Sequence, residues 1–471
     1  MIFINKESKE PLYMQIYLQI KDEILNGIIK EGDVLAGSRS MAKTLGVSRN
    51  TVDNAYSQLL MEGYITPERG IGYNVLEVPA LPKSFRPQFM ETPPKPKIDN
   101  DDSQHVVYDL TNSSHTSDLF PKKLWRKYAL ECLDRLEQEE RLSIHLDKQG
   151  ELYLRSNLRV YLGRIRGVSC SVEQILITSG IQQSLDIICK LLPQTRPMIF
   201  MEEPGYNKAA AVFLNAGLIV QTFPVDGNGL VVSKLPALRT VGATYVTPSH
   251  QFPTGAILPI GRRYELLKWA VENDSYIIED DFDSEQRYYA KPVPSLQSID
   301  TDDRVIYLGT FSKALSPSIR MGYMILPMKL MKSYLNKFQY YNSTAPLLNQ
   351  YIIGKLIENG QYDRHIRRLN KVFKKRLECF QAEFFNVNDK IRISSNGTGQ
   401  YFLLQFSENV TQEVLIEEAL RYGVKVYSTM QFWQDKAECP PNTLFLGLSK
   451  IGIDDIPDCV MRLKKAWAKW L

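Results

Sequence analysis

At 471 residues, 44% of them hydrophobic, the chain has length for about three domains with sizeable cores. Its 57 Lys/Arg against 53 Asp/Glu leave a formal net charge of +4, so bulk charge argues neither for nor against nucleic acid. The six cysteines lie scattered, without CxxC spacing or a nearby histidine cluster, which reads as reduced thiols and not as a disulfide framework or zinc site, and no metal is expected.

The start, MIFINKESKE, lacks the apolar core of a signal peptide, and no apolar run reaches the ~18 residues of a membrane span. The expectation is a soluble, cytoplasmic protein with no membrane partner. Tyr13, Ile16, Tyr17, Ile20 and Ile24 then recur at helical spacing, predicting an amphipathic helix after Pro11. A short helix is expected from Arg39 to Leu45, followed by a turn at Gly46-Val47 and a second helix that Ser48 caps with its hydroxyl. This second helix, SRNTVDNAYSQLLMEG, would bury Val52, Ala55, Tyr56, Leu59 and Leu60 and stop at Gly63. YITPERGIGYNV (64–75) reads as a two-stranded wing with a glycine-rich tip.

Helix, helix-turn-helix and wing in that order make a winged helix, whose second helix enters the major groove of double-stranded DNA. Ser48, Arg49, Asn50 and Thr51 in its first turn are short or forked donors that suit phosphates and base edges. Arg39 and, at the wing tip, Arg69 and Gly70 complete the candidate DNA contacts. Residues 1–78 carry 8 Lys/Arg against 10 Asp/Glu, so placement matters more than total. Arg39, Lys43, Arg49 and Arg69 fall on groove-facing elements, while most acids lie in the first helix and its flanks. The segment 12–75 resembles the GntR class of bacterial regulators, whose pattern runs roughly LPSxR…LGVSRxTVxxAYxxLxxEGY. Here residues 35–39 read LAGSR, where that class usually has Pro and Ser.

Residues 79–105 are rich in Pro and charge and show no apolar periodicity, so they are expected to form a semi-extended tether. From Tyr108 onward helical segments alternate with the short strands QILIT, PMIFM, TYVTP, SYIIED and RVIYLG, which argues for an α/β sheet covered by helices. After about residue 370 the pattern changes to a smaller α+β unit built on YFLLQF, KVYST and TLFLGL. The expected division is a winged helix over 1–78, a linker over 79–105, a large domain over 106–370 and a small domain over 371–471. The basic stretch 364–376 and the C-terminal DCVMRLKKAWAKWL read as a solvated helix face and a packed terminal helix.

Each remaining candidate sits where a strand ends and a turn begins, the place where α/β sheets bind ligands. TSGIQQSL (178–185) opens a helix, and the amides of Gly180, Ile181 and Gln182 would meet a phosphate at its positive end. EEPGY (202–206) offers Tyr206, a flat ring suited to stacking. YIIEDDFD (276–283) ends a strand in carboxylates, and GTFSKALSPSIRMGY (309–323) places Thr310, Ser312 and Lys313 shortly before Arg320. An amine, hydroxyls and a guanidinium so placed suit pyridoxal 5′-phosphate (PLP), which needs a Schiff-base partner and a phosphate cup.

These segments look like the fold-type I aminotransferases, and the order of head, linker and body resembles the MocR/GabR subfamily of bacterial transcription regulators. The resemblance implies a PLP-dependent regulator in which Lys313 carries the cofactor and Asp280 faces its ring nitrogen. It also implies a head-to-tail homodimer, DNA and a small effector as partners, and at most partial transamination. Phe252 and Phe282 stand where aminotransferases usually keep an Asn and a Tyr for the cofactor's phenolic oxygen. Phe445, in LFLGLS, stands at the place of the carboxylate-clamping arginine, and Lys208 stands where relatives can carry a second one. Efficient transamination of an α-amino acid is therefore not expected, and the effector is expected to be PLP itself or an amine or amino acid. The alternative is an active aminotransferase with an appended DNA-binding domain.

Overall fold

The computed structural model describes residues 2–68, 70–79, 106–111, 119–143, 147–283, 285–288, 293–387, 389–395, 397 and 399–471. Arg69 and nearly all of the expected linker lie outside these. The chain divides into two compact units, Met1–Asp99 and Asn100–Leu471.

The first unit runs α1 (Leu12–Leu25), β1 (Val34–Leu35), α2 (Ser38–Leu45), α3 (Arg49–Met61), β2 (Ile65–Glu68) and β3 (Gly72–Val75). Ile16, Tyr17, Ile20 and Ile24 of α1 close on Val52, Ala55, Tyr56 and Leu59 of α3 in one core. Leu60, expected in that core, packs against it only half-buried. The wing forms as an antiparallel pair of β2 and β3, and β1 adds a third strand that the sequence pattern did not announce. Gly72 makes that addition feasible: a Cβ there would run into the carbonyl oxygen of Leu35.

The second unit runs β4 (Tyr108–Asp109), α4 (Lys122–Gln138), α5 (Leu152–Arg166), β5 (Ile175–Thr178), α6 (Ile181–Leu191), β6 (Met198–Glu203), α7 (Asn207–Asn215), β7 (Ile219–Asp226), β8 (Gly229–Leu230) and β9 (Val241–Val246). It continues with α8 (Ile260–Glu272), β10 (Tyr276–Asp280), β11 (Val305–Thr310), β12 (Gly322–Ile325), α9 (Met328–Lys337), α10 (Leu347–Glu358) and α11 (Gln361–Glu383). Then come β13 (Ile391–Ser394), β14 (Tyr401–Phe406), α12 (Gln412–Arg421), β15 (Val424–Lys425), β16 (Tyr427–Ser428), β17 (Thr443–Gly447) and α13 (Ile456–Ala466).

Eight strands form the main sheet in the order β5-β12-β11-β10-β9-β6-β7-β8. β9, β10, β11 and β6 pair in parallel, and β12 runs antiparallel between β11 and β5. The carboxyl ends of β5, β6, β9, β10 and β11 therefore share one edge of the sheet. Near-continuous apolar burial along β5, β9 and β10 fits strands covered on both faces.

A four-stranded sheet in the order β13-β14-β17-β16 forms the C-terminal lobe, with Phe373 and Phe380 of α11, Leu463 of α13 and Trp467 just after it in its core. The 23-residue α11 runs straight through position 370, where the sequence pattern changes. Its buried face carries Ile366, Leu369 and Phe373, while Arg364, Arg367 and Lys371 face solvent. The segment after the expected linker joins this lobe as well: β4 pairs with β15, and the Tyr427 hydroxyl donates to Asp109 at 2.6 Å. Among the described residues no helix is long and apolar enough to cross a membrane.

Candidate functional site

The shared strand edge opens into a cavity of about 530 Å³, within the range typical of small-molecule sites. Gly180, Ile181, Gln182, Tyr206, Asp280, Phe282, Thr310, Ser312, Lys313 and Arg320 all line it, so the structure brings the whole candidate set from the α/β body together.

One end is built for an anion. Gly180 is the N-terminal cap of the 11-residue α6 and holds φ at +116°, so the cap residue offers the first amides of the helix no side-chain hydrogen bond. A Cβ on Gly180 would come within 3.5 Å of an Arg320 guanidinium nitrogen, so the guanidinium lies over the helix end. Arg320 itself sits at φ +52°, in the left-handed region that non-glycine residues rarely occupy. Strain of that kind costs on the order of 1–3 kcal/mol and is held only where surrounding structure over-determines it. The Ser312 amide donates to Thr310 Oγ1 at 3.1 Å, which shapes the hydroxyl-bearing turn before Lys313.

Asp280, the last residue of β10 and 3% exposed, lines the same cavity. The Tyr245 hydroxyl donates to its Oδ2, while Oδ1 is buried with no hydrogen-bond partner among the described residues. Burial pushes this carboxyl up to about 7, with the Tyr245 bond opposing the shift. A buried acceptor without a donor is costly, and a protonated ring nitrogen would supply that donor.

Lys313 follows β11, and two carboxamides hold its backbone. Gln286 Nε2 and Gln400 Nε2 donate to its carbonyl at 3.0 and 2.9 Å. Burial pushes its ammonium down to about 8; Asp283 opposes that shift and Lys208 adds to it. Lowered basicity is what an amine needs to act as a nucleophile near neutral pH. Asp283 is in turn paired with His250 at 2.8 Å, both nearly inaccessible, and the imidazole stacks between Phe282 and Tyr401.

A layer beneath fixes these positions. Along β10 the side chains alternate, so Glu279 and Asp281 face away from Asp280. Arg166 binds Asp281 through two bonds of 2.8 and 3.0 Å, with both side chains essentially inaccessible, and the Tyr307 hydroxyl donates to the same carboxylate. Glu279 accepts the amides of Leu296 and Gln297 at 2.7 and 2.9 Å. Sequence reasoning missed Arg166, Tyr245, His250, Asp283, Gln286 and Gln400. The period-2 alternation of EDD could have separated Asp280 from its neighbours, but nothing local in the sequence marks partners up to 115 residues away.

The remaining wall is aromatic. Phe252, Phe432 and Phe445 line the cavity, and Phe445 stacks on Tyr401 at 4.7 Å. Lys208 reaches the same cavity from the start of α7, exposed to solvent.

In the first unit, Ser48 caps α3: the Thr51 amide donates to its hydroxyl at 3.2 Å. Arg39, Ser48, Arg49, Asn50 and Gly70 are exposed, and Thr51 is half-buried with its hydroxyl 2.8 Å from that of Ser48. Arg49 makes an exposed 3.3 Å ion pair with Asp53 one turn on, too weak to withhold it from a phosphate.

Comparisons agree with both halves. Residues 12–75 match the family described as bacterial regulatory proteins, gntR family, and residues 113–434 match aminotransferase class I and II. The chain is 36% identical over 470 residues to the uncharacterized HTH-type transcriptional regulator YdeL of Bacillus subtilis, covering 99% of this chain and 98% of that one. It is 32% identical over 442 residues to the probable rhizopine catabolism regulatory protein MocR of Rhizobium meliloti, covering 90% and 87%. Among solved structures, a kynurenine aminotransferase of Pyrococcus horikoshii aligns with a TM-score of 0.70 at 25% identity, covering 79% of this chain and 93% of that one.

Proposed function

Because the chain belongs to the MocR/GabR-type bacterial regulators, in which a gntR-family winged helix is joined to a class I and II aminotransferase domain, we propose that Lys313 anchors pyridoxal 5′-phosphate and that the loaded cavity senses a small effector. The observation that carries this reading is the Asp280 oxygen without a hydrogen-bond partner among the described residues, in the same cavity as Lys313 and the Arg320-covered start of α6. Arg320, Thr310, Ser312 and the amides at Gly180–Gln182 would hold the phosphate, Tyr206 would cover the ring, and Asp280 would keep the ring nitrogen protonated. Bound there, the cofactor supplies an aldehyde carbon that condenses reversibly with primary amines.

This chain's own residues do the rest. Lys313, less basic than an exposed lysine, offers the nitrogen that both takes up the cofactor and yields to a competing amine. Gln286 and Gln400, one from each lobe, fix the Lys313 backbone, so movement there is felt by both. The winged helix reads double-stranded DNA through Arg39, Ser48, Arg49, Asn50, Thr51, Arg69 and Gly70. Two such heads in a head-to-tail homodimer would match an operator with two half-sites. Effector binding must favour one dimer arrangement to alter the spacing of the heads.

Continuous turnover as an aminotransferase is disfavoured by Phe445, whose ring cannot pair with a carboxylate. The test is borohydride reduction of cofactor-soaked protein followed by peptide mass mapping. An adduct on Lys313 is expected, and its absence there sinks the reading.

A further inference from the structure

One wall of the cavity is a cluster of rings. Phe252 stands at its centre, with ring centroids of Phe432 at 4.8 Å, Tyr401 at 5.5 Å, Tyr206 at 5.8 Å, Phe282 at 5.9 Å and Phe445 at 6.1 Å. Phe432 and Phe445 are themselves 5.1 Å apart, and Tyr401 backs Phe445 in a stacked pair. Phe252, Phe432 and Phe445 are each less than a tenth exposed, so this wall is a preformed part of the core and not a collection of loop side chains.

Such a wall selects by charge and by shape. Ring faces carry negative charge density, so they repel a carboxylate laid against them while accepting aromatic edges and alkyl groups. A carboxylate buried without a paired donor loses its hydration for nothing. The polar residues lining the rest of the cavity include Thr111, Asn207, Gln400 and Gln431, which are uncharged. Of the cations, Arg320 lies over the start of α6 and Lys313 is the anchoring amine. Lys208 is exposed, so its ammonium keeps its water and gives little to an anion.

We propose that the effector is a carboxylate-free primary amine with an aromatic or branched alkyl body, whose nitrogen reaches the position of Lys313 Nζ while its body packs against Phe252, Phe432 and Phe445. This deepens the cofactor-anchoring reading above and rests on it. The exchange balances without any oxidant. One C–N double bond forms to the incoming nitrogen as the one to Lys313 breaks, and the two protons lost by the ligand nitrogen pass to the Lys313 nitrogen.

The test uses full-length, cofactor-loaded protein titrated with 2-phenylethylamine, 3-methylbutylamine, L-phenylalanine, L-leucine and β-alanine. Visible absorbance and calorimetry are read in parallel. Both amines are expected to bind about tenfold or more tighter than the matching amino acids, with β-alanine no better than these. Phe445→Arg is expected to reverse the order within the phenylalanine pair; should that variant fail to fold, the ligand series on unaltered protein decides alone. Equal affinities, preference for the amino acids or β-alanine, or a response to added pyridoxal phosphate only would overturn the proposal. Protein that takes up cofactor yet ignores both amines sinks this inference alone, whereas protein that takes up none sinks the parent reading with it.

Discussion

The two units of this chain place function in opposite ways. The candidate DNA contacts lie between Arg39 and Gly70, and all those described except half-buried Thr51 are exposed on elements adjacent in sequence. The cofactor cavity is lined by residues from Thr111 to Phe445, and its key carboxylate is buried. Surface contacts are single side chains whose energies sum nearly independently. The buried site depends on groups that position one another, among them an Asp280 oxygen without a hydrogen-bond partner among the described residues, so removing one member there should cost far more than removing one on the head.

Lys313→Ala is the severest way to probe that contrast. Loss of the borohydride-fixable adduct is expected to be complete, while the dependence of operator affinity on salt, set by phosphate contacts of the head, keeps its slope. A slope that collapses together with the adduct would mean the two units do not act as separable parts. Asp280→Asn comes next. It keeps the shape but cannot hold a protonated ring nitrogen by charge, so cofactor affinity should fall by about 10- to 100-fold, the worth of a charge-assisted bond.

The same carboxylate gives a pH test. Unfolded, it titrates near the ordinary value of about 4; folded and without cofactor it is raised to about 7 by burial. Between those values the folded state holds the extra proton, so stability of the cofactor-free protein falls as pH rises through that window and levels off above it. Glu202, Glu279 and Glu285, also raised to about 7 by burial, act in the same direction. Asp280→Asn should flatten part of that fall in unfolding titrations, and cofactor binding should flatten it too. An unchanged slope in the variant would show that the orphan oxygen is not where the cost resides.

The contrast also explains what could be read in the sequence. Helical spacing, the Ser48 cap and the Gly70 tip are local signals, so the head was legible almost to the residue, except for β1, whose two residues pair only because Gly72 lets the chains approach. Strand ends carrying Gly180, Tyr206, Asp280 and Lys313 were legible because α/β topology brings such ends together. Arg166, Tyr245, His250 and Gln400 were not, since each acts across a fold contact between residues distant in sequence. Burial also turned Phe252 and Phe445 from apparent losses of function into parts of one wall.

On the head the expected effects are smaller. Arg49→Ala should reduce operator affinity by about tenfold and lower the magnitude of the salt slope by about one, with no change in cofactor uptake. Smaller still is the effect of the α3 cap. Ser48→Ala removes the acceptor of the Thr51 amide at an expected cost of about 1 kcal/mol, seen as faster amide exchange in the first turn of α3. The helix itself should persist, because Val52, Ala55, Tyr56 and Leu59 are fully buried against α1. Ser48→Asp then separates the two roles of this position. Aspartate caps as well as serine, so amide protection should be retained, yet it sets a negative charge where a phosphate is expected. Affinity lost with protection kept would mark Ser48 as facing DNA; both kept would leave it a structural cap alone.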